Sequence, residues 1–157
     1  MKTTLSIVAA FGSALPAAPA AAADYVTISQ DILVDRPVEA VWPRISGFCQ
    51  IGPWIGTSCA ISSGAGEVGT VRRIGDRVDE VLVAKTERSY TYVLRDPALG
   101  LGSGTVEIRP AGAGKSRILY SVVYEAEPKA ENRAAGRDRR AAIFAKVLQA
   151  MKAEAER

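Results

Sequence analysis

Residues 47–59 read GFCQIGPWIGTSC, and they contain both cysteines and one of the two tryptophans of the 157-residue chain. A short helical pattern over residues 37–42 (PVEAVW) precedes this segment, and a series of strand-like segments follows it. The arrangement predicts a cavity-forming fold whose mouth is held in place by a disulfide between Cys49 and Cys59. It indicates architecture and compartment, but it does not identify a ligand or a reaction.

The first 23 residues have the pattern of a secretory signal peptide. Lys2 gives the basic start, residues 5–11 (LSIVAAF) form a short apolar core, and residues 21–23 (AAA) supply small side chains before a cleavage point. The alternative is an uncleaved, Ala-rich N-terminal anchor, but the apolar core is too short to cross a bilayer stably. We expect cleavage before Asp24, a periplasmic or secreted protein, and no stable membrane span after cleavage.

Residues 24–157 are long enough for one domain with a hydrophobic core. Lys2 is the only charged residue before Asp24, so cleavage lowers the formal net charge from +3 to +2, which does not favour nucleic acid as a partner. Basic residues are concentrated in the last segment, where acidic residues are interleaved with them as on a solvated helix face. Docking of that helix to an anionic surface or to an envelope partner is the alternative.

Export makes a disulfide between Cys49 and Cys59 the expected state of the two thiols. A zinc site would need further Cys or His ligands, and the chain has no His. A nucleophilic thiol usually needs a His or another neighbour that stabilises the thiolate, and none is evident. The lack of His also removes the Ser-His-Asp triad, and no metal or cofactor is expected.

The segments that follow Cys59 predict an antiparallel meander. Each is short, rich in β-branched or aromatic residues, and bounded by Gly, Pro, Asp or charged turns. The Gly-rich stretches 63–67 and 111–115 have the composition of hairpin loops, and such short connections favour antiparallel neighbours. Together with a first strand near residues 25–35, the predicted strands cover residues 60–62, 70–74, 78–84, 89–94, 104–109 and 117–125.

Helical patterns flank the predicted strands. The short one begins at Pro37, with Asp35 as a possible cap, and Pro43 should shorten or kink it. The long one covers residues 131–156, with Gly136 as a possible bend. Its apolar stripe is expected to pack on the sheet and consists of Ile143, Phe144, Val147, Leu148, Met151 and Ala155.

This order of elements resembles the START-like, polyketide-cyclase-like superfamily of helix-grip proteins, known as SRPBCC, over residues 26–150. It is similar in particular to a bacterial branch in which Phe-Cys precedes a Trp and a second Cys follows. Members of that branch commonly carry His after this Trp, where the present chain has Ile55. The matching stretches are residues 34–42, Trp54, Cys59, residues 69–72, 80–82 and 89–92, and the closing helix.

The resemblance implies an α+β helix-grip fold. A curved antiparallel sheet of about six to seven strands would wrap around a long C-terminal helix, with two short helices after the first strand. The sheet and the helix would enclose a hydrophobic cavity. Because His is replaced by Ile55, no acid–base role is transferred to that position.

Ligand sites favour such apolar hollows with a few polar groups. Tyr90 and Tyr92 share one strand face, so an inward orientation would make their phenols polar handles of the cavity. Adjacent Arg72 and Arg73 point to opposite faces of a regular strand, so at most one of them can form an ion pair inside. The candidate cavity residues are Trp54, Arg73, Glu80, Leu82, Tyr90, Tyr92, Tyr120, Phe144 and Leu148.

Two functions follow from this interpretation. The first is an exported binding protein for a small hydrophobic or amphipathic molecule, because the predicted cavity has no evident catalytic constellation. The second is a cyclase- or dehydratase-like enzyme that uses Glu80 as a general acid or base together with a cavity tyrosine. The same Glu80 can instead be a paired structural carboxylate, and binding is favoured over catalysis.

Overall fold

The computed structural model describes residues 24–94 and 101–157. The predicted signal peptide, residues 1–23, lies outside the described residues. Within the described part of the chain the elements are β1 (Tyr25–Val34), α1 (Val38–Ile45), α2 (Ile51–Ile55), β2 (Cys59–Ser63), β3 (Val71–Ile74), β4 (Val78–Lys85), β5 (Ser89–Leu94), β6 (Gly102–Pro110), β7 (Ser116–Glu125) and α3 (Ala130–Glu156).

The strands form one curved antiparallel sheet with the order β1-β7-β6-β5-β4-β3-β2. From β2 to β7 each strand pairs with the next one along the chain, which confirms the predicted meander. The first strand joins at the far side, with Tyr25 opposite Glu125 and Val34 opposite Ser116. This helix-grip architecture confirms the fold expected from the resemblance.

Helix α3 covers the concave face of the sheet through its C-terminal half. Val147, Leu148 and Met151 are buried there, as the periodicity predicts. The predicted apolar stripe also included Ile143, but this residue is 52% exposed and lies outside the buried face of the helix. Helix α3 runs without interruption from Ala130 to Glu156, so Gly136 does not end or divide it.

The start of α1 also differs from the prediction. Pro37 has an extended backbone and occupies the N-cap position, so the helix begins one residue later, at Val38. Asp35 makes no capping bond to the helix; its carboxylate pairs with Lys115 Nζ at 2.6 Å, across to the β6–β7 loop. Pro43 lies inside this eight-residue helix, so no backbone N–H at this position donates to the carbonyl of Glu39.

The predicted disulfide is confirmed. Cys49 and Cys59 are bonded with their Cα atoms 5.4 Å apart. Cys49 lies just before α2 and Cys59 begins the edge strand β2, so the bond ties the α2 segment to the edge of the sheet. Trp54, on the α2 segment inside this loop, is half-buried against the core.

Replacing both Cys49 and Cys59 with Ser should lower the free energy of unfolding by about 3 kcal/mol, because the bond restricts the unfolded chain over a sequence separation of 10. Urea unfolding with and without reductant measures this loss. Reductant should destabilise the wild-type protein by a similar amount and leave the double variant unchanged. A wild-type midpoint that does not move on full reduction would contradict the stabilising role.

Candidate ligand cavity

A buried ion pair joins β3 to β4 on the concave face. Arg72 and Glu80 are directly opposite in the strand register, and Arg72 is only 1% exposed. Arg72 Nε donates to Glu80 Oε2 at 2.7 Å, and Nη2 lies 2.6 Å from the same oxygen. Arg72 Nη1 donates to the carbonyl of Phe48, which connects the pair to the segment before α2.

Two aromatic rings enclose the guanidinium of Arg72. Its Cζ lies 4.2 Å from the centroid of the Phe48 ring and 4.6 Å from that of Tyr92. A cation over an aromatic face is attracted by the ring quadrupole, most strongly where water is excluded. The rings, the carboxylate and the carbonyl together replace the hydration that Arg72 loses on burial.

Burial and the ion pair shift the pKa values of Arg72 and Glu80 in opposite directions. Burial disfavours the charge on Arg72, but Glu80 and the nearby phenols outweigh this effect, and the pKa of Arg72 is raised. Burial raises the pKa of Glu80, and the attraction of Arg72 opposes this rise without cancelling it. Glu80 is therefore easier to protonate in the folded protein than in water.

Tyr92 and Tyr120 continue the polar core beside the ion pair. Their hydroxyl oxygens are 2.6 Å apart, and burial is the main cause that raises the pKa of both phenols. Tyr92 lies over Gly104 on the neighbouring strand, where a Cβ atom would collide with the phenol. The Tyr120 ring in turn packs edge-on against Phe144 of α3, with centroids 4.9 Å apart.

A cavity of about 210 Å³ lies between β4–β7 and α3. Its wall is mainly apolar, with Leu94, Leu101, Val122 and Phe144 as the large contributors. Gly102 also lines it, and the lack of a side chain at this position leaves space that a larger residue would fill.

Apart from Ser103, the polar residues that line the cavity lie at two ends. Glu80 and Tyr92 are buried at the β4–β5 end, beside Arg72. Tyr124 and Arg140 are half-buried at the other end, where the Arg140 Cζ lies 4.0 Å from the centroid of the Tyr124 ring. The cavity therefore has an apolar middle between two different polar ends.

The residues that the sequence predicted for one cavity do not all line the same cavity. Glu80, Tyr92 and Phe144 line the 210 Å³ cavity, whereas Leu82 and Tyr90 line a second cavity of about 220 Å³. Phe48, Gly66 and Lys85 contribute to this second cavity.

Three further candidates lie outside both cavities. Tyr120 is buried behind Tyr92, and Leu148 lines a groove between α3 and β1. Trp54 packs against the core and is not among the residues that line either cavity. The sequence therefore placed these side chains in the interior but did not distinguish the wall of one cavity from another.

The prediction that Arg73 lines the cavity is wrong. Its side chain is 52% exposed and forms two hydrogen bonds with Asp79, at 2.7 and 2.6 Å. The neighbouring Arg72 faces inward instead, because successive residues of a strand point to opposite faces. The register of β3 against β4, which the sequence did not specify, decides between the two arginines.

Sequence reasoning also omitted Gly102, Gly104, Tyr124 and Arg140 from the site. The two glycines had a usable signal, because Gly inside a strand often marks a close approach of another group. Arg140 had no such signal in the sequence, because it is one of several basic residues in the last helix. Its position over Tyr124 depends on how α3 crosses the sheet.

Comparison with known families agrees with this architecture. Residues 25–156 match the family described as polyketide cyclase / dehydrase and lipid transport. The chain belongs to this family. The match covers every strand and helix of the described structure, and it confirms the superfamily suggested by the sequence. No curated protein matches the chain.

Several solved structures share the fold. A protein from Nitrosospira multiformis has a TM-score of 0.65 at 21% identity, over 84% of this chain and 100% of its own. A protein from Thermobifida fusca has a TM-score of 0.67 at 20% identity, over 80% of this chain and 90% of its own. Ara h 8.0201 has a TM-score of 0.58 at 19% identity, over 82% of this chain and 98% of its own. At these identities the likeness establishes the fold alone.

Gly104→Ala should destabilise the protein by about 1 to 3 kcal/mol, because the new methyl group would displace Tyr92 from its bond with Tyr120. Gly102→Ala is the matched control on the same strand, since its nearest neighbours would lie 3.7 Å from the added atom. Chemical unfolding of both variants measures the difference. Equal effects at the two positions would contradict the close packing of Tyr92 on Gly104.

The stability gap between the wild-type protein and Glu80→Gln should depend on pH. Because burial raises the pKa of Glu80 above its usual 4.5, the folded state holds the proton more tightly than the unfolded state does. The wild-type protein should therefore be most stable relative to the variant below pH 4.5 and lose this advantage as the pH rises through the raised pKa. Urea unfolding across this pH range measures the gap, and a gap that widens in favour of the wild type as the pH rises would contradict it.

Proposed function

We propose that the protein is an exported binding protein for a small hydrophobic or amphipathic molecule, held in the 210 Å³ cavity beneath α3. The single observation that carries the proposal is the composition of this cavity, an apolar wall with polar groups at its two ends. Such a site favours a ligand with an apolar body, and its few polar groups would fix the ligand's orientation.

The size of the cavity limits the ligand. An apolar protein cavity of about 150 Å³ is large enough to hold benzene, and this one measures about 210 Å³. A short alkyl chain or a small ring system is therefore the class of ligand body that fits. Family membership supports the proposal, because the description of the family includes lipid transport.

A catalytic role for Glu80 has weaker support. The carboxylate lines the cavity and its pKa is raised by burial, as a general acid would require. However, Glu80 Oε2 is held by both Nε and Nη2 of Arg72, whose guanidinium is itself fixed by Phe48 and Tyr92. This arrangement is that of a structural ion pair, and we therefore propose binding as the function.

Export is supported by the cysteines. The bond between Cys49 and Cys59 is of the kind that persists in oxidising compartments and is rare in the cytosol. In the described ranges 24–94 and 101–157, no helix combines the length and apolar character needed to span a membrane. Together with the signal-peptide pattern, the disulfide leads us to propose a periplasmic or secreted location.

Filling the cavity should weaken ligand binding at least tenfold without unfolding the protein. Gly102→Leu projects a side chain into the cavity from a position where a Cβ atom makes only ordinary contacts. We expect 1-octanol to give saturable amide shifts around the cavity in the wild-type protein, and the variant to weaken its affinity at least tenfold. Two-dimensional NMR titration provides the measurement.

Thr105→Leu is the control for this experiment. It adds a similar side chain to the same strand, at a position whose hydroxyl pairs with Thr91 and which does not line the cavity. Its affinity for 1-octanol should remain within about twofold of the wild-type value. Equal affinities in Gly102→Leu and the wild-type protein, or no saturable shifts in any of the three proteins, would contradict the proposed function.

A further inference from the structure

The two polar ends of the cavity lie in one row across the sheet. Gly102 pairs with Tyr124, and Leu94 pairs with Glu80. Leu94 and Gly102 are adjacent, because a Cβ atom on Gly102 would lie 3.7 Å from that of Leu94. The row therefore runs from Glu80 on β4 to Tyr124 on β7, and these two positions are separated by roughly 14 Å at the usual strand spacing.

At the β7 end, Arg140 has hydrogen-bonding capacity that residues 24–94 and 101–157 do not use. Its guanidinium lies over the Tyr124 ring, 4.0 Å from the centroid, so a face of the guanidinium is occupied. The ion pair with Glu127 is long, with 4.0 Å between Nη2 and Oε1, and within the described residues no hydrogen bond of Arg140 is found. A guanidinium held by a ring still presents its N–H edge to an anion.

Tyr124 provides an independent observation at the same end. Its hydroxyl is buried and has no hydrogen-bond partner in residues 24–94 and 101–157. A buried hydroxyl without a partner is unfavourable and is uncommon in folded proteins. Because Tyr124 lines the cavity next to Arg140, a ligand whose binding moves this side chain would place one acceptor atom within reach of both groups.

The β4 end differs from the β7 end, because the charge of its polar group is already offset. The carboxylate of Glu80 lies 2.6 Å from Arg72 Nη2, so the charges of this pair already offset each other. A second anion beside Glu80 would be repelled, and a cation there would meet a carboxylate whose charge Arg72 already offsets. The β4 end therefore favours neither sign of ligand charge, whereas the β7 end favours an anion.

We infer that the ligand is a singly charged amphiphile, a carboxylic acid with a compact apolar body. Its carboxylate lies at Arg140 and the Tyr124 hydroxyl, and its apolar body extends between Val122 and Phe144 towards Tyr92. Arginine is suited to this role because its planar N–H groups match the two oxygens of a carboxylate. The inference rests on the proposed function, since it assigns the ligand class of the same cavity.

Three probes with the same alkyl chain test the charge preference at pH 7. Octanoate should bind about tenfold more tightly than 1-octanol, and octylamine should bind more weakly than 1-octanol, because a charged hydrogen bond to Arg140 favours only the first. Arg140→Gln should remove about tenfold of the octanoate affinity and change the 1-octanol affinity by less than twofold. Tyr124→Phe should weaken octanoate by about fivefold, the usual effect of one hydrogen bond.

Arg139→Gln is the charge-matched control. Arg139 is exposed on the same helix and does not line the cavity, so both affinities should stay within about twofold of the wild-type values. Equal binding of octanoate and 1-octanol, tightest binding of octylamine, or an unchanged preference in Arg140→Gln would each overturn the inference. If Gly102→Leu still weakens binding at least tenfold in those cases, the proposed function stands and only the inferred ligand class fails. If none of the probes binds the wild-type protein, both the proposed function and the inferred ligand class fail.

Discussion

The charge of Arg72 is the constraint around which the interior is organised. A guanidinium that is only 1% exposed needs a counter-charge, hydrogen-bond acceptors and polarisable surfaces, because a buried charge without them is very unfavourable. Glu80, the carbonyl of Phe48, and the rings of Phe48 and Tyr92 meet these needs. Since removing one partner of a buried pair costs about 3 to 5 kcal/mol, the sheet and the segment before α2 are held in one arrangement.

The same arrangement determines where the cavity lies. Tyr92 is held between the guanidinium of Arg72 and the hydroxyl of Tyr120, and it occupies the space that Gly104 leaves on the next strand. The core is therefore filled on this side, and the hollow forms farther along, where Gly102 again lacks a side chain. The disulfide contributes from the other direction, because it fixes the segment that carries Phe48 to the edge strand.

Binding specificity in such a fold depends on a few side chains rather than on the fold itself. The structural neighbours share the fold, and in this chain the sheet and the helix enclose an apolar hollow. This hollow ends at a neutralised ion pair on one side, and on the other at a cation and a phenol that has no hydrogen-bond partner among the described residues. A difference in charge between two ends of one cavity gives a ligand a preferred direction.

The sequence by itself determined the local structure, namely the antiparallel meander, the long closing helix, the cysteine pair and the absence of histidine chemistry. These features follow from periodicity, turn composition and residue counts, which are properties of short segments. The tertiary structure alone decided that Arg72 rather than Arg73 is buried, that Ile143 is exposed, and that Arg140 lies over Tyr124. Strand register and the path of the helix across the sheet fix those contacts, and both depend on packing between distant segments of the chain.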